Sequence, residues 1–517
     1  MIEKIQAIKN IGTSWLSLGL SLVIGFFLSP FILHRLGDEA FGLWVLIYSI
    51  SDYYSFFDFG IRSSVIRYVA NFHATGNQEQ LTRLISTALT SYSCIGILLL
   101  LVTGVGSLFV GLIFHVSAAW LSTVRLLFVI VGSGLALGFP LGVFSGVMEG
   151  LQKFHILNIT QIISTLLRAL LVLLVLSHGQ GLLSVAIITM ALPLVTALVR
   201  AKLVLRMLPL DLGLSHVDRS TLRQIVSYSG VTFIAIVADR LRFRSDALII
   251  GAFLSTTAIT FFAIGSKLVD YATEVVETMA QIFTPMSSQL DARGDFRALG
   301  ELFVIGNRSC ALIMLPLSVA LITLGKPLIS VWVGPRYLSS YPVMLALLLP
   351  STLWYMQATS FRVLYGMGKH LTFAIAMVIE GVVNVVLSIW WVRHYGIMGD
   401  AMGTAIPLLV TAIFFLPGHL CRLLGIPLLT YFRRAFVVPI LLASVLTLTL
   451  LLLQHLIPIR GYSQLISVVA IGSIVYAGLL WFTFATQINE VWQETLRVSA
   501  RFVGKITDRA SQEDIVP

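Results

Sequence analysis

Apolar positions in this chain fall into long unbroken stretches divided by short polar or charged breaks, with little of the every-second-residue alternation of a half-buried strand. Stretches of about 20 residues are what a helix needs to cross hydrocarbon. The pattern predicts such helices near 11–34, 41–60, 84–114, 121–148, 154–178 and 181–205. It resumes near 224–252, 257–285, 300–325, 340–361, 371–393 and 397–420, and ends with 434–456 and 463–486. The predicted fold class is all-α and integral to a membrane, with about 14 spans and both termini on one side. A transmembrane barrel would need short alternating segments, and the pattern has none. The first stretch follows Lys4 and Lys9, but from Ile11 to Leu33 it is too long for a signal peptide and lacks a small-residue cleavage site. It reads as a retained span.

Composition sharpens this picture. Of 517 residues, 57% are hydrophobic and 11% are charged, with mean hydropathy +0.93, against roughly a quarter charged in a soluble domain. No room is left for a soluble catalytic domain, and no catalytic residue is expected. Of the 34 lysines and arginines, about 23 fall on the termini and the connections on their side. These include Arg200, Lys202, Arg206, Arg219 and Arg223 in the longest linker, and Arg433 and Arg434. The opposite connections hold Arg35, Arg125, Lys326, Arg336, Arg393 and Arg460. Both termini are therefore expected in the cytoplasm. The net charge of +10 is accounted for by this bias and by contact with anionic lipid. Nucleic acid is not an expected partner, because no basic patch with interleaved aromatics sits on a soluble module. Cys94, Cys310 and Cys421 are scattered and the histidines have no HExxH spacing, so neither a disulfide framework nor a metal site is indicated. No phosphate-binding Gly-x-x-x-x-Gly-Lys-Ser/Thr loop is present, so ATP hydrolysis by this chain and any other cofactor are not expected.

The chain also repeats itself weakly. Residues 36–77 align without gaps on 254–295: Leu36 on Leu254, Ala40 on Ala258, Asp52-Tyr53 on Asp270-Tyr271, and Ala74 and Gly76 on Ala292 and Gly294. Gly150-Leu-Gln-Lys153 is echoed by Gly366-Met-Gly-Lys369. Six helices in each half, each set starting in the cytoplasm, make the repeats parallel, as in transporters that rock two lobes about a central site. The predicted organisation is an N-terminal lobe over 1–206, a cytoplasmic linker over 207–223, a C-terminal lobe over 224–422 and two added helices within 423–486. A tail over 487–517 is expected to lie on the cytoplasmic membrane surface, through Val491, Trp492, Leu496 and Val498 with interspersed basic residues.

Charges inside the predicted spans are the candidate chemistry. The seventh helix reads Asp239-Arg-Leu-Arg-Phe-Arg-Ser-Asp246. At about 3 kcal/mol for each charge facing lipid, these groups are expected to face protein or water. At about 100° per residue, Asp239, Arg242 and Asp246 share a face and are placed to pair with one another. Arg240 and Arg244, four residues apart, form either a clamp for phosphate or pyrophosphate, or partners for acids on the eighth helix. That helix carries Lys267, Asp270, Glu274 and Glu277 on one stripe. The nearby arginines favour an ion-pair seam against the seventh helix; the other reading is a site for a coupling cation or proton. In the fifth helix Asn158, Gln161, Thr165 and Arg168 share a face that reads as a cavity wall, and Glu380 and Asn384 lie at similar depth in the eleventh. Asp58 and Arg62, spaced i, i+4, read as a structural pair.

Short motifs add a family. They are Leu36-Gly-Asp-Glu-Ala-Phe-Gly-Leu43, Phe57-Asp-Phe-Gly-Ile61 with Arg67-Tyr-Val-Ala70, Asp246-Ala-Leu-Ile-Ile-Gly251, Trp332-Val-Gly334 with Tyr337, Gly368-Lys369, and Tyr395-Gly-Ile-Met-Gly399. In this order and spacing, over residues 5–486, the chain resembles the polysaccharide-transporter (oligosaccharide flippase) branch of the multidrug/oligosaccharidyl-lipid/polysaccharide exporter superfamily. The resemblance implies a V-shaped pair of six-helix lobes, alternating access, and a polyprenyl-pyrophosphate-linked oligosaccharide flipped across a bacterial inner membrane. It also implies a basic cavity, for which Arg168, Arg240 and Arg244 are the residues at hand, with Asn158 and Gln161 beside them. The first helix has no charge from Ile11 to Leu33. The chain is expected to act as a monomer in the bilayer, next to a glycan polymerase and other polysaccharide-assembly proteins. Two other readings stay open: a cation-coupled exporter of small molecules, which needs free carboxylates on the eighth helix, and, more remotely, a membrane-embedded glycan polymerase.

Overall fold

A computed structural model describes residues 2–226, 237, 242, 244–369 and 371–484, so the expected surface tail lies outside the described residues. Those residues form helices joined by short turns, with no strand among them. The first half comprises α1 (Ile2–Leu36), α2 (Asp38–Asp52), a 3₁₀ turn (Tyr53–Asp58), α3 (Ile61–Ala74), α4 (Gln78–Ile113), α5 (Leu121–Gly150), α6 (Phe154–Ser177) and α7 (Leu182–Met207). The second comprises α8 (Asp246–Phe253), α9 (Thr256–Ala280), α10 (Phe283–Ala292), α11 (Phe296–Trp332), α12 (Ser340–Tyr355), α13 (Ala358–Gly366), α14 (Leu371–Val410) and α15 (Leu416–Leu424). Two further helices follow, α16 (Leu428–Leu456) and α17 (Tyr462–Phe484).

Nine helical stretches among the described residues are long and apolar enough to cross a membrane. The number is lower than the fourteen spans predicted for several reasons. The spans near 41–60 and 340–361 fall on shorter helices in series, that near 257–285 falls on the unbroken but charge-bearing α9, and that near 224–252 lies mostly outside the described residues. Those near 371–393 and 397–420 are two helical arms that part at Gly396 (φ 58°, ψ −142°) and fold back on each other, so that a Cβ on Gly403 would stand 2.6 Å from Ser388 N. The outward faces match a lipid solvent: Leu101, Leu108 and Leu112 of α4 are 60% exposed or more, a display that water would penalise. This is a multi-pass membrane protein.

The weak repeat has a physical counterpart. α3 and α10 each run out into a glycine with positive φ, Gly76 at 66° and Gly294 at 67°. The next residue caps the following helix in both cases: Asn77 accepts from Gln80 N (3.1 Å) and Asp295 from Ala298 N (3.0 Å). α5 crosses α3 where a Cβ on Gly150 would stand 2.8 Å from the Ile66 carbonyl oxygen. α13 crosses α10 where a Cβ on Gly366 would stand 2.7 Å from the Thr284 carbonyl oxygen. Ile66 and Thr284 are aligned in the repeat, so the same backbone contact is built twice from different side chains.

Each half buries its own apolar clusters. Val65, Val69, Leu84, Ile85, Val143 and Val147 fill one in the first half. A larger one in the second includes Phe303, Met314, Leu348, Leu364 and Tyr431, and takes in Leu33 and Leu46 from the first. The last two helices pack on α11 through Leu324, Leu442, Leu446, Leu465 and Val468.

Candidate functional site

Between the halves lies a cavity of about 690 Å³. Ser29 of α1, Tyr48, Ser49 and Asp52 of α2, Arg168 of α6 and Thr189 of α7 line one side. Asp246 and the preceding Arg244, the α9 stripe Lys267, Asp270, Glu274 and Glu277, and Thr404 of α14 line the other. α9 packs its apolar face, with Ile259, Phe262, Leu268, Val269 and Val276, into the second half, and this turns the four charged side chains to the opening.

Arg168 stands where its helix predicted. Its Nε is buried and has no hydrogen-bond partner among the described residues. Arg244 also lines the cavity and pairs with Asp52 of α2 at 3.3 Å, the two side chains 46% and 36% exposed. A pair this wet holds its partners weakly. Arg240 and Asp239 lie outside the described residues. Asn158 and Gln161 are not among the lining residues. Asn158 donates to Thr13 (3.1 Å) and Ser14 (2.8 Å) and ties α6 to α1, while Gln161 accepts from Arg200 at 3.4 Å.

Several predicted pairings are replaced. Arg242 is 1% exposed, forms an ion pair with Glu380 of α14, and lies 3.7 Å from the centre of the Trp354 ring. Asp246 does not pair with it: Asp246 accepts from Thr404 at 2.8 Å. Asp239 lies outside the described residues; Arg242 and Asp246 do not share one helix, because residues 244 and 245 form a bend and a fresh helix begins at Asp246. The seam between the seventh and eighth helices is not formed by Arg244, whose acid is Asp52 on the other half, nor by Glu277, which takes Arg362 of α13 at 2.9 Å. Arg62 pairs with Glu149 rather than Asp58; Asp58 accepts from the Tyr92 hydroxyl and from the Arg62 backbone N–H.

The basic cavity implied by the resemblance is also revised. The described lining has five carboxylates (Asp52, Asp246, Asp270, Glu274 and Glu277) and three basic groups (Arg168, Arg244 and Lys267). The cause is the α9 stripe, which faces the opening, with Glu277 paired to Arg362.

A connected polar cluster lies behind the α14 side of this wall, and sequence reasoning found only part of it. Thr404 donates to Asp246 and at 3.1 Å to Asn384; Ser388 donates to Asn384 Oδ1 (3.0 Å) and to the Asp400 carbonyl (3.2 Å); Asn384 donates to the Arg242 carbonyl (2.9 Å). Asp400 is fully buried. A lone Asp in an otherwise apolar span was the available signal. Among the described residues no group of three or more His, Cys, Asp or Glu is arranged to hold a metal ion.

Residues 7–291 match a family described as polysaccharide biosynthesis protein. The uncharacterized membrane protein EpsK of Bacillus subtilis (strain 168) is 24% identical over 482 residues, covering 90% of this chain and 93% of that protein. A Shigella flexneri protein provisionally named as an O-antigen transporter is 22% identical over 390 residues, covering 74% of this chain and 90% of its own length. Among solved structures, the lipid II flippase MurJ in an inward closed conformation aligns with TM-score 0.72 at 16% identity, over 93% of this chain and all of that one. An inward-facing multidrug resistance MATE transporter aligns with TM-score 0.67 at 14% identity, over 79% and 96%. At these identities the two structures establish the fold.

Proposed function

This chain belongs to the polysaccharide biosynthesis protein family, and on that premise we propose that it flips a polyprenyl-pyrophosphate-linked oligosaccharide across the bacterial inner membrane for surface polysaccharide assembly. The observation that carries the reading is the charged cavity between two helical halves whose outer faces are apolar. Glycan hydroxyls and pyrophosphate cannot enter hydrocarbon without losing their hydration, whereas a polyprenyl tail stays in the bilayer. Arg168 and Arg244 take the pyrophosphate. Arg244 is held by Asp52 when the site is empty, and exchanges that wet pair for phosphate oxygens at little cost. The α9 carboxylates accept hydrogen bonds from sugar hydroxyls.

The halves act as lobes over 1–206 and 224–422, joined by the linker 207–223, with both termini in the cytoplasm and the monomer as the working unit. They take no catalytic part; the chain is a transporter. A coupling cation is supported by Asp246, which faces the cavity and accepts from Thr404, and by Asp400 behind it, whose fully buried carboxylate has no hydrogen-bond partner among the described residues and needs a proton or a cation to offset its charge. The same cluster is what would favour the small-molecule exporter.

The test is the sidedness of lipid-linked glycan precursor in cells lacking the protein, or carrying Arg168→Ala with Arg244→Ala, or Asp246→Asn. Precursor is expected to accumulate on the cytoplasmic side in all three. Normal surface glycan in the deletion would remove the flippase reading. Trapping in the deletion but normal flipping in the arginine variant would return those arginines to structural roles.

A further inference from the structure

Two motifs that carried only the family resemblance meet in space. Gly37 and Asp38, at the head of α2, face the segment Trp332–Tyr337 that follows α11, at the end of the cavity far from the N-terminus. Asp38 sits at the centre of this contact. Its carboxylate, 9% exposed, accepts from the Tyr337 hydroxyl and pairs with Arg336 at 2.6 Å. Its backbone carbonyl accepts from Thr260 of α9 at 2.6 Å. One residue of α2 thus holds two segments of the second half.

A second contact lies beneath it. Pro30 has no N–H, so the Phe26 carbonyl four residues earlier in α1 has no helical donor. The Trp332 indole N–H fills that vacancy at 2.6 Å, and its ring stacks on Phe26 at 5.1 Å with 16° between planes. His34 Nε2 meets the Val333 carbonyl, just past the end of α11, at 2.9 Å, and His115 N–H donates to the Gly251 carbonyl at 2.9 Å. α2 and α9 touch closely enough that a Cβ on Gly42 would fall 1.8 Å from the Thr256 carbonyl oxygen. At the opposite end, near Asn10, Glu149 and Arg362, the described residues show one hydrogen bond between the lobes, from the Ser64 hydroxyl to the carbonyl of Ile225 at the very start of the second (3.0 Å).

We propose that Asp38 with Tyr337 and Arg336, and the Phe26 carbonyl freed by Pro30 with Trp332, form a latch that closes the outer end of the cavity and must break for cargo to leave. The proposal rests on the alternating-access reading above. The chemistry suits a latch that opens: its bonds are few and polar, each is replaceable by water at small net cost, and Arg336 is 72% exposed and screened. Beside these bonds Leu33 and Leu46 pack into the second half's apolar cluster, which opening must also part. Tyr337 is 6% exposed, so its bond to Asp38 is the better protected and the stronger part of the clasp.

The test reads the opening itself, without cargo. In a Cys94→Ser background, Ser29→Cys places a thiol on the cavity wall. Intact cells are labelled from outside with a membrane-impermeant maleimide. Asp38→Ala and, separately, Trp332→Phe, which keeps the stacking and removes the indole N–H, are compared with the parent. Either variant is expected to label about tenfold faster, the response of a two-state equilibrium to the loss of one protected polar contact. Labelling by a permeant maleimide, unchanged in all three, checks that the bundle is folded. An unchanged outside rate in both variants would overturn the latch. If the rate rises while deletion of the protein leaves glycan flipping normal, the latch stands and the flippase reading falls.

Discussion

Arg242 shows how one residue's surroundings set the effect of losing it. The guanidinium is enclosed by Glu380 and the Trp354 ring, and Asn384 holds its carbonyl. Arg242→Ala strands Glu380, 2% exposed in its side chain, as an uncompensated charge. The expected loss is about 3–5 kcal/mol, read as a lower midpoint of thermal unfolding in detergent, and Arg242→Met with Glu380→Leu should recover most of it. That Arg242 faces protein was legible from the cost of a charge in lipid; its partner was not. Spacing along a helix names neighbours three or four residues away, whereas Arg242 to Glu380, Arg62 to Glu149 and Arg244 to Asp52 join separate helices. The α9 stripe was legible as a stripe, because amphipathic periodicity survives in a span, but which neighbour it faced depended on packing. Arg168 was placed correctly on the cavity wall for a simple reason: nothing on its own or adjacent turns could satisfy it.

At the scale of elements, long apolar stretches located the uninterrupted helices α4 to α7, α11, α16 and α17 closely. The breaks were harder to read, since a glycine or proline within an apolar run is compatible with both a straight and an interrupted helix. Gly396 is the exception: the spans near 371–393 and 397–420 were predicted as separate helices, and they part there. Its φ of 58° with ψ of −142° is a conformation that side chains with a Cβ tolerate poorly. Gly396→Ala should cost about 1–3 kcal/mol, measurable as a fall in the unfolding midpoint, because the substitution asks the two arms of the Leu371–Leu424 stretch to realign. Pro30 acts differently: it removes a donor inside α1, and the empty acceptor is filled from the other half by Trp332.

For the whole molecule, the helical class and the weak repeat could both be read from the sequence, the first because hydrocarbon forbids an open strand or an irregular chain. The cavity could not, because its walls are assembled from α1, α2, α6, α7, α9 and α14. The repeat leads further. Side chains at Ile66 and Thr284, or Gln152 and Gly368, have diverged, yet the turns at Gly76 and Gly294 and the touching backbones at Gly150 and Gly366 are the same in both halves. Geometry has outlasted spelling. If every position were replaced in turn and surface glycan scored, the tolerance profile of the first half should therefore superpose on that of the second, Gly76 over Gly294 and Gly150 over Gly366, although the letters beneath the two curves rarely agree. What has been inherited twice is a pattern of permitted substitution, with each half serving as an independent replicate of the other.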